Sequence, residues 1–356
     1  MLSKEKQVFQ TELDLAQQAW RKKLMSDIQD KKIKVVVGLD FGTSSSGYAY
    51  AFVDDGKIVP KTRWYGQTIP FVKTLTQLLY SPNSQAFWGY EARNTFTNLS
   101  NKDATTWNFF QNFKMQLHDS KDKTADGPRI SQNGKQFLVL NLIADYLRFL
   151  KDDALAEIKT ATSGYLQEDE IRWCLTIPAI WQDVDKQLMR RAAQQAGIIK
   201  DADQDAERLI LALEPECAAL YCQEREGLSL STGNRFMIVD CGGGTVDITV
   251  HEVESSSKGQ MVLKEVIEGT GGAYGSTYVD KYFFETFLTK KLSTEIIENI
   301  RTQKPSEYLE MVNKWEQIKT SFDCTKNANT QYLRFTTGAH RLVTDEILAK
   351  LAAQQQ

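Results

Sequence analysis

The chain is predicted to be α/β, a duplicated unit folded as two lobes around a cleft, and three observations predict it. Phe236 to Val250 reads Phe-Met-Ile-Val-Asp-Cys-Gly-Gly-Gly-Thr-Val-Asp-Ile-Thr-Val, two β-prone runs joined by three glycines. Val35 to Tyr50 has the same grammar: an apolar run reaching Asp40, a small-residue turn with Gly42, Thr43 and Ser44, and a run leading back. Between the two hairpins, segments of strand and helix character alternate, as they do in an α/β sandwich with a mixed sheet.

Glycine at 242, 243 and 244 permits φ > 0 and removes the side chains that keep a ligand from backbone N–H groups. Such a turn is an anion cradle. The flanking carboxylates of Asp240 and Asp247 can hold a hard cation beside it, directly or through water. An ordinary hairpin with a glycine bulge would account for one such turn, but not for its repetition. No G-x-x-x-x-G-K-[ST] occurs, and neither turn shows G-x-G-x-x-G opening a helix, which argues against P-loop and dinucleotide folds.

In chain order, residues 3–30 read as one amphipathic helix, with Phe9, Leu13, Ala16, Trp20 and Leu24 at steps of three and four. A short strand is expected near Lys57 to Tyr65. Residues 66–135, rich in Asn, Ser, Gly and Asp clusters, read as an inserted subdomain. Within it Ala104 to His118 is predicted helical from Trp107, Phe110, Phe113 and Leu117, and Lys114 on that helix reads by pattern alone as a solvated surface residue. Phe137 to Thr160 is a long amphipathic helix. Arg172 to Pro178 is a buried strand, and Asp183 fits the N-cap of a helix running to Ala196 and closed by Gly197. Arg208 to Leu213 is a strand, and Glu214-Pro215 opens a helix. Ser229 to Asn234 turns into the second hairpin. Beyond it come a strand (Met261 to Ile267), a loop from Gly269 to Ser276 leading into a helix (277–290), and a helix from Glu307 to Asp323. A strand at Gln331 to Thr336 and a short final helix complete the prediction. The glycine loop ahead of the 277–290 helix is a third candidate phosphate turn.

With 356 residues, 42% of them hydrophobic and 25% charged, the chain has the composition of a globular protein of two domains or lobes. A net charge of -3 argues against a nucleic-acid partner. No run of apolar residues reaches membrane-spanning length, and the Lys- and Gln-rich start is no export signal, so a cytoplasmic address is expected. The five cysteines form no C-x-x-C pair, and buried thiols in a reducing compartment are expected rather than a zinc site.

Six segments, in order, carry a family resemblance: Gly38 to Ser44, Phe113 to His118, Trp173 to Trp181, Ala212 to Ala219, Val239 to Val250 and Gly271 to Ser276. They resemble the nucleotide-binding domain of the 70-kDa heat-shock proteins, of the actin, hexokinase and heat-shock ATPase superfamily, and within it the divergent heat-shock 70-kDa protein 12 branch. The resemblance implies an actin-like ATPase fold that grips ATP or ADP with Mg²⁺ between its lobes. The implied layout is an N-terminal helical extension (1–32), lobe I (33–235, with the insert near 66–135) and lobe II (236–356). The implied metal residues are Asp40, Asp240 and Asp247, acting largely through water. Gly42, Thr43, Ser44, Gly242, Gly243, Gly244 and Thr245 would surround the phosphates, and Thr245 and Asp240 would also serve the chemistry. Lys114 would reach the γ-phosphate and attacking water, Glu214 would orient that water, and Gly272 and Gly275 would approach the ribose and phosphate. Glu316 and Lys319 would line the adenine site, although Thr320 stands where the family has Arg. The family's later glycine-rich adenosine segment is not reached, so the second lobe is expected to be incomplete, with weak ATP binding, poor discrimination from GTP and an uncovered apolar face. Such chemistry needs little beyond positioning and charge neutralisation.

Two functions of different class follow from the resemblance. One is slow Mg-dependent ATP hydrolysis that opens and closes the lobes; the other is a non-hydrolysing, nucleotide-dependent interaction module for protein clients or partners. A sugar or glycerol kinase on the same fold would need a sugar-binding acid in the cleft, and none is identifiable.

Overall fold

The computed structural model describes residues 33–119, 127–200, 207–225, 230–257, 260–323 and 331–354. The predicted helix over 3–30 and Cys324 lie outside the described residues. The β-branched runs pair into two larger sheets, and the glycine turns are where these sheets meet.

Four strands open the chain: β1 (Val35–Phe41), β2 (Ser45–Phe52), β3 (Ile58–Pro60) and β4 (Thr74–Leu75). The inserted region supplies β5 (Gln77–Tyr80), β6 (Ala86–Trp88) and β7 (Asn108–Gln111), which form one small sheet in the order β6-β5-β7, and the hairpin of β8 (Arg129–Gln132) and β9 (Lys135–Leu138). β10 (Ile171–Ile177) and β11 (Leu209–Leu213) then join the first sheet, whose order is β11-β10-β1-β2-β3 with β4 also on β2. The β1–β10 and β10–β11 pairs are parallel, while β1–β2 is antiparallel. β12 (Arg235–Cys241), β13 (Val246–Ser257) and β14 (Gln260–Gly272) make a separate antiparallel sheet.

β1 alternates strictly, burying Val35, Val37, Leu39 and Phe41. The Val139–Ala161 helix buries Ile143, Tyr146, Leu147, Leu150, Ala154 and Ile158 at steps of one, three and four, and both elements belong to one core. A second, helical core gathers Phe284, Leu288, Ile296, Ile300 and Met311. Met237 and Ile267, either side of Val250 in one cross-strand row of the three-stranded sheet, are exposed.

Several predicted elements differ. Residues 104–118 are not one helix: Asn101–Ala104 is a short helix, β7 follows, Asn112 turns at φ 56°, and helix resumes only at Met115–Asp119. The apolar spacing is satisfied equally by β7, whose Phe110 and Asn108 enter the core while β5 supplies the backbone partners. The helix after the third glycine loop starts at Ser276 and passes through a π-helical stretch, Phe283–Leu288, in place of a uniform α-helix. Gln331 to Thr336 is not a strand, because no sheet edge is offered to it; Leu333 and Phe335 pack on the helical core instead. The last helix, Thr337–Gln354, is longer than expected, and the Glu307 helix spans Pro305–Thr320. Gln182, not Asp183, is the N-cap of the Asp183–Gln195 helix, in a reciprocal box with Asp185.

Candidate functional site

The two hairpins share one register. In the first, Asp40 pairs with Gly47 and Phe41 with Ser46; in the second, Asp240 pairs with Asp247 and Cys241 with Val246. Each turn therefore begins two residues after its aspartate, at Gly42 and at Gly242. The turns also touch. A Cβ at Gly243 would lie 2.2 Å from Ser44 Oγ, and one at Gly244 would lie 2.6 Å from Thr43 Oγ1. Thr43 and Thr245 are both buried beside this junction.

The third glycine loop braces the second turn. Gly275, Ser276 and Thr277 donate their N–H groups to the carbonyls of Gly244, Gly242 and Gly243 at 3.1, 3.1 and 2.9 Å, and Thr277 Oγ1 adds a bond to Gly243 O. The first N–H groups of the Ser276–Tyr282 helix are thus satisfied by the turn carbonyls. Gly272 ends β14 opposite Val246, against the Tyr274 ring.

Beneath the turns lies an ion pair. Lys114 is 2% exposed, which overturns its reading as a surface lysine. Its Nζ donates to Phe41 O at 2.6 Å and to Glu214 Oε1 at 2.8 Å, between the Phe41 and Trp181 rings. It lies in the turn after β7, and this break from helix is what lets it point inward. Glu214 opens the Glu214–Arg225 helix directly after β11. Burial pushes its carboxyl above the usual range, Lys114 opposes this, and Asp40 and Asp240 add to it. Asp240 is raised as well, by burial and then by the charges of Asp247 and Asp40. Asp247 is 1% exposed and its Oδ1 has no hydrogen-bond partner. Crowded carboxylates with an unsatisfied buried oxygen call for positive charge. Among the described residues, no group of three or more His, Cys, Asp or Glu is arranged to hold a metal ion directly.

Lys73 was not singled out in the sequence, yet it pairs with Asp40 at 2.6 Å. It precedes β4, which docks on β2 at Ser46 beside the first turn, a placement that no local pattern announces. Asp280 was missed too. It accepts from Trp315 Nε1 at 2.7 Å and from Lys319 Nζ at 2.8 and 3.0 Å. Lys319 is also paired with Glu316 at 2.6 Å.

From Ser44 a cavity of about 1000 Å³ extends between the two halves, with Glu316 and Thr320 on its wall. Above it the halves are joined: Asn101 Nδ2 donates to Glu307 Oε1 at 3.1 Å, Ser306 Oγ donates to Asn101 Oδ1, and Leu309 enters the cluster of Leu79, Ala92 and Phe96. Burial alone would raise the Glu307 carboxyl, but bonds from Thr336, Asn101 and the Ala339 N–H outweigh it and hold the pKa below the usual glutamate range. A depressed carboxyl contributes stability above its unfolded value, about 4.3, that is lost as pH falls through the folded value. The stability difference between the protein and Glu307→Gln is therefore expected to be constant near neutrality and to shrink below about pH 4.3. Denaturant titration over that range measures it, and a difference that does not shrink would show that Glu307 is not held as a carboxylate.

With this geometry in place, the comparisons with known proteins are specific. The family model described as Hsp70 protein matches residues 36–344. Human heat shock 70 kDa protein 12B is 33% identical over 348 residues, covering 82% of this chain and 50% of the relative, and human heat shock 70 kDa protein 12A is 32% identical over 346 residues with the same coverage. Chaperone protein dnaK1 of Parasynechococcus marenigrum is 27% identical over 228 residues, covering 60% of this chain and 30% of that protein. The chain spans about half the length of the heat-shock relatives it matches. Two glycine turns in one register, the lysine–glutamate pair below them and these matches together establish that the chain belongs to the Hsp70 family.

Proposed function

We propose that this chain binds Mg·ATP between its two glycine turns and hydrolyses it slowly, so that bound ATP or ADP sets the positions of two lobes, 33–235 and 236–356. The observation that carries this reading is the contact of Gly243 with Ser44, which puts two turns of equal register face to face over the buried Lys114–Glu214 pair. In this reading the equal register is the trace of a duplicated actin-like fold, residues 66–135 are an insert in the first lobe, and residues 1–32 an extension.

The donor set fits a hydrated cation: Asp40, Asp240 and Asp247 are hard oxygen ligands, and the unpartnered Asp247 oxygen lacks a donor that a metal-bound water supplies. Bound Mg²⁺ neutralises phosphate charge. The protein's own groups do the rest. Gly42, Thr43, Ser44 and Gly242 to Thr245 position the phosphates through backbone and hydroxyl groups, braced by Gly275. Lys114 stabilises charge on the transferring phosphoryl group. Glu214, with its carboxyl raised by burial, is suited to accept a proton from the attacking water. Glu316 lines the nucleoside end of the cavity and Lys319, not itself a lining residue, holds it while bound to Asp280; Thr320 supplies no guanidinium there.

A second reading, a nucleotide-dependent interaction module without turnover, is favoured by one observation: two of the three N–H groups of Lys114 are already held by Phe41 O and Glu214. In either reading a protein partner or client senses the lobe positions. A cytoplasmic address belongs to this reading as well; the expectation of buried thiols is corrected, since among the described residues Cys174, Cys217 and Cys222 are free and half-buried and Cys241 is free and exposed. No helix among the described residues is long and apolar enough to cross a membrane.

Single-turnover assays with ATP, with and without Mg²⁺, separate the readings. Slow Mg-dependent release of phosphate is expected. Binding without conversion would move the assignment to the interaction module, and absence of both would remove the nucleotide from the cleft.

A further inference from the structure

Four cationic side chains line the cavity, and three have a carboxylate partner. Lys73 pairs with Asp40 at 2.6 Å, Arg301 with Glu298 at 2.6 Å, and Lys281 approaches Glu285 at 4.0 Å. The fourth, Arg93, has no carboxylate or hydrogen-bond partner for its guanidinium among the described residues; it lies 5.0 Å over the Tyr90 ring. Burial lowers its pKa, with only the weak attraction of Tyr90 acting against this. A half-buried, unpaired guanidinium in a cavity is costly unless an anion arrives to meet it.

Its placement says which part of a ligand it would meet. Arg93 lies one turn into the Gly89–Asn98 helix, and Gly89 packs against the Thr74 side chain. Thr74 pairs with Ser46, immediately beyond the first glycine turn. The helix is thereby pinned beside that turn, and Arg93 lines the same cavity as Ser44 and Ser45. The other wall carries Glu285, Glu298 and Glu316, each already paired with a cation, so Arg93 is the lining cation left to meet an anion. Lys114 is not among the residues lining this cavity: it lies beneath the turns, with two of its three N–H groups held by Phe41 O and Glu214.

We propose that Arg93 binds the terminal phosphate of the nucleotide from the cavity side, its planar fork meeting two phosphate oxygens while Lys114 acts from below. This assignment rests on the reading of the cleft as a nucleotide site. It makes Arg93 the residue that distinguishes a triphosphate from a diphosphate.

Calorimetric titration of the protein, Arg93→Ala and Arg93→Lys with Mg·ATP and Mg·ADP tests it, with thermal unfolding as the check on folding. Arg93→Ala is expected to weaken Mg·ATP by about tenfold to a hundredfold, the loss of a charge-assisted contact, and Mg·ADP by less than about threefold. Arg93→Lys should recover part of the loss, because a point charge replaces the fork. An unchanged affinity for ATP in Arg93→Ala, or equal losses for ATP and ADP, would overturn the role of Arg93 and leave the nucleotide site standing. Failure of the unsubstituted protein to bind either nucleotide would overturn the site itself, and Arg93's role with it.

Discussion

Lys114→Ala slows single-turnover hydrolysis of Mg·ATP by roughly a hundredfold or more and weakens ATP binding far less, if Lys114 stabilises charge that develops only in the transition state. A second signature comes from its partner. The Glu214 carboxyl is already raised by burial, and Lys114 is the main influence holding it down. Without that ammonium the Glu214 pKa rises further, so the acid limb of the pH–rate profile moves to higher pH. Leaving a buried carboxylate unpaired also costs stability, on the order of 3–5 kcal/mol. The double substitution Lys114→Met, Glu214→Gln, of similar volume and without the stranded charge, is expected to recover much of that stability but none of the activity. Comparable losses of binding and turnover would reduce Lys114 to a binding residue. Unaltered kinetics would remove it from the reaction.

What the sequence made legible is local chemistry. The two hairpins could be read because each ends an apolar run on an aspartate and turns through small residues that include glycine, signals contained within about fifteen residues each. Glu214-Pro215 announced its helix for the same reason. The rest depended on distant partners. Trp107, Phe110 and Phe113 fit a helical spacing, and only the edge of β5 decides that Asn108–Gln111 is a strand. That decision then turns Lys114 inward, so an error in one element hid the environment of the most informative cation. At 331–336 the apolar residues are as β-prone as those of β1, but no strand stands beside them and they cover helices. Lys73, Arg93 and Asp280 lie in segments whose local pattern resembles any polar surface. Their significance comes from facing Asp40, the cavity and Lys319, from elements far away in the chain.

Gly275→Ala is expected to be among the most damaging glycine-to-alanine changes in the molecule, and Gly38→Ala among the mildest. A Cβ at Gly275 would fall 2.4 Å from Gly243 O and 2.5 Å from the carbonyl carbons of Gly243 and Gly244, all of them backbone atoms with no rotamer to escape into. To make room, the loop must lift from the turn, and that strains the bonds from Gly275, Ser276 and Thr277 to Gly244, Gly242 and Gly243. Overpacking of this kind costs typically 1–3 kcal/mol, and each weakened bond adds up to about 1 kcal/mol, so a loss of roughly 2–5 kcal/mol in unfolding free energy is expected. The same displacement moves the Gly243 turn relative to Ser44, so affinity for Mg·ATP falls along with stability. Gly38, by contrast, meets nothing nearer than Ala49 O at 3.9 Å and lies within a regular strand, so alanine there is accommodated within about 1 kcal/mol. Urea titration and nucleotide calorimetry on the pair provide the comparison. If Gly275→Ala unfolds like Gly38→Ala and still binds Mg·ATP normally, the third loop does not brace the second turn, and the close backbone contact between them is incidental to the site.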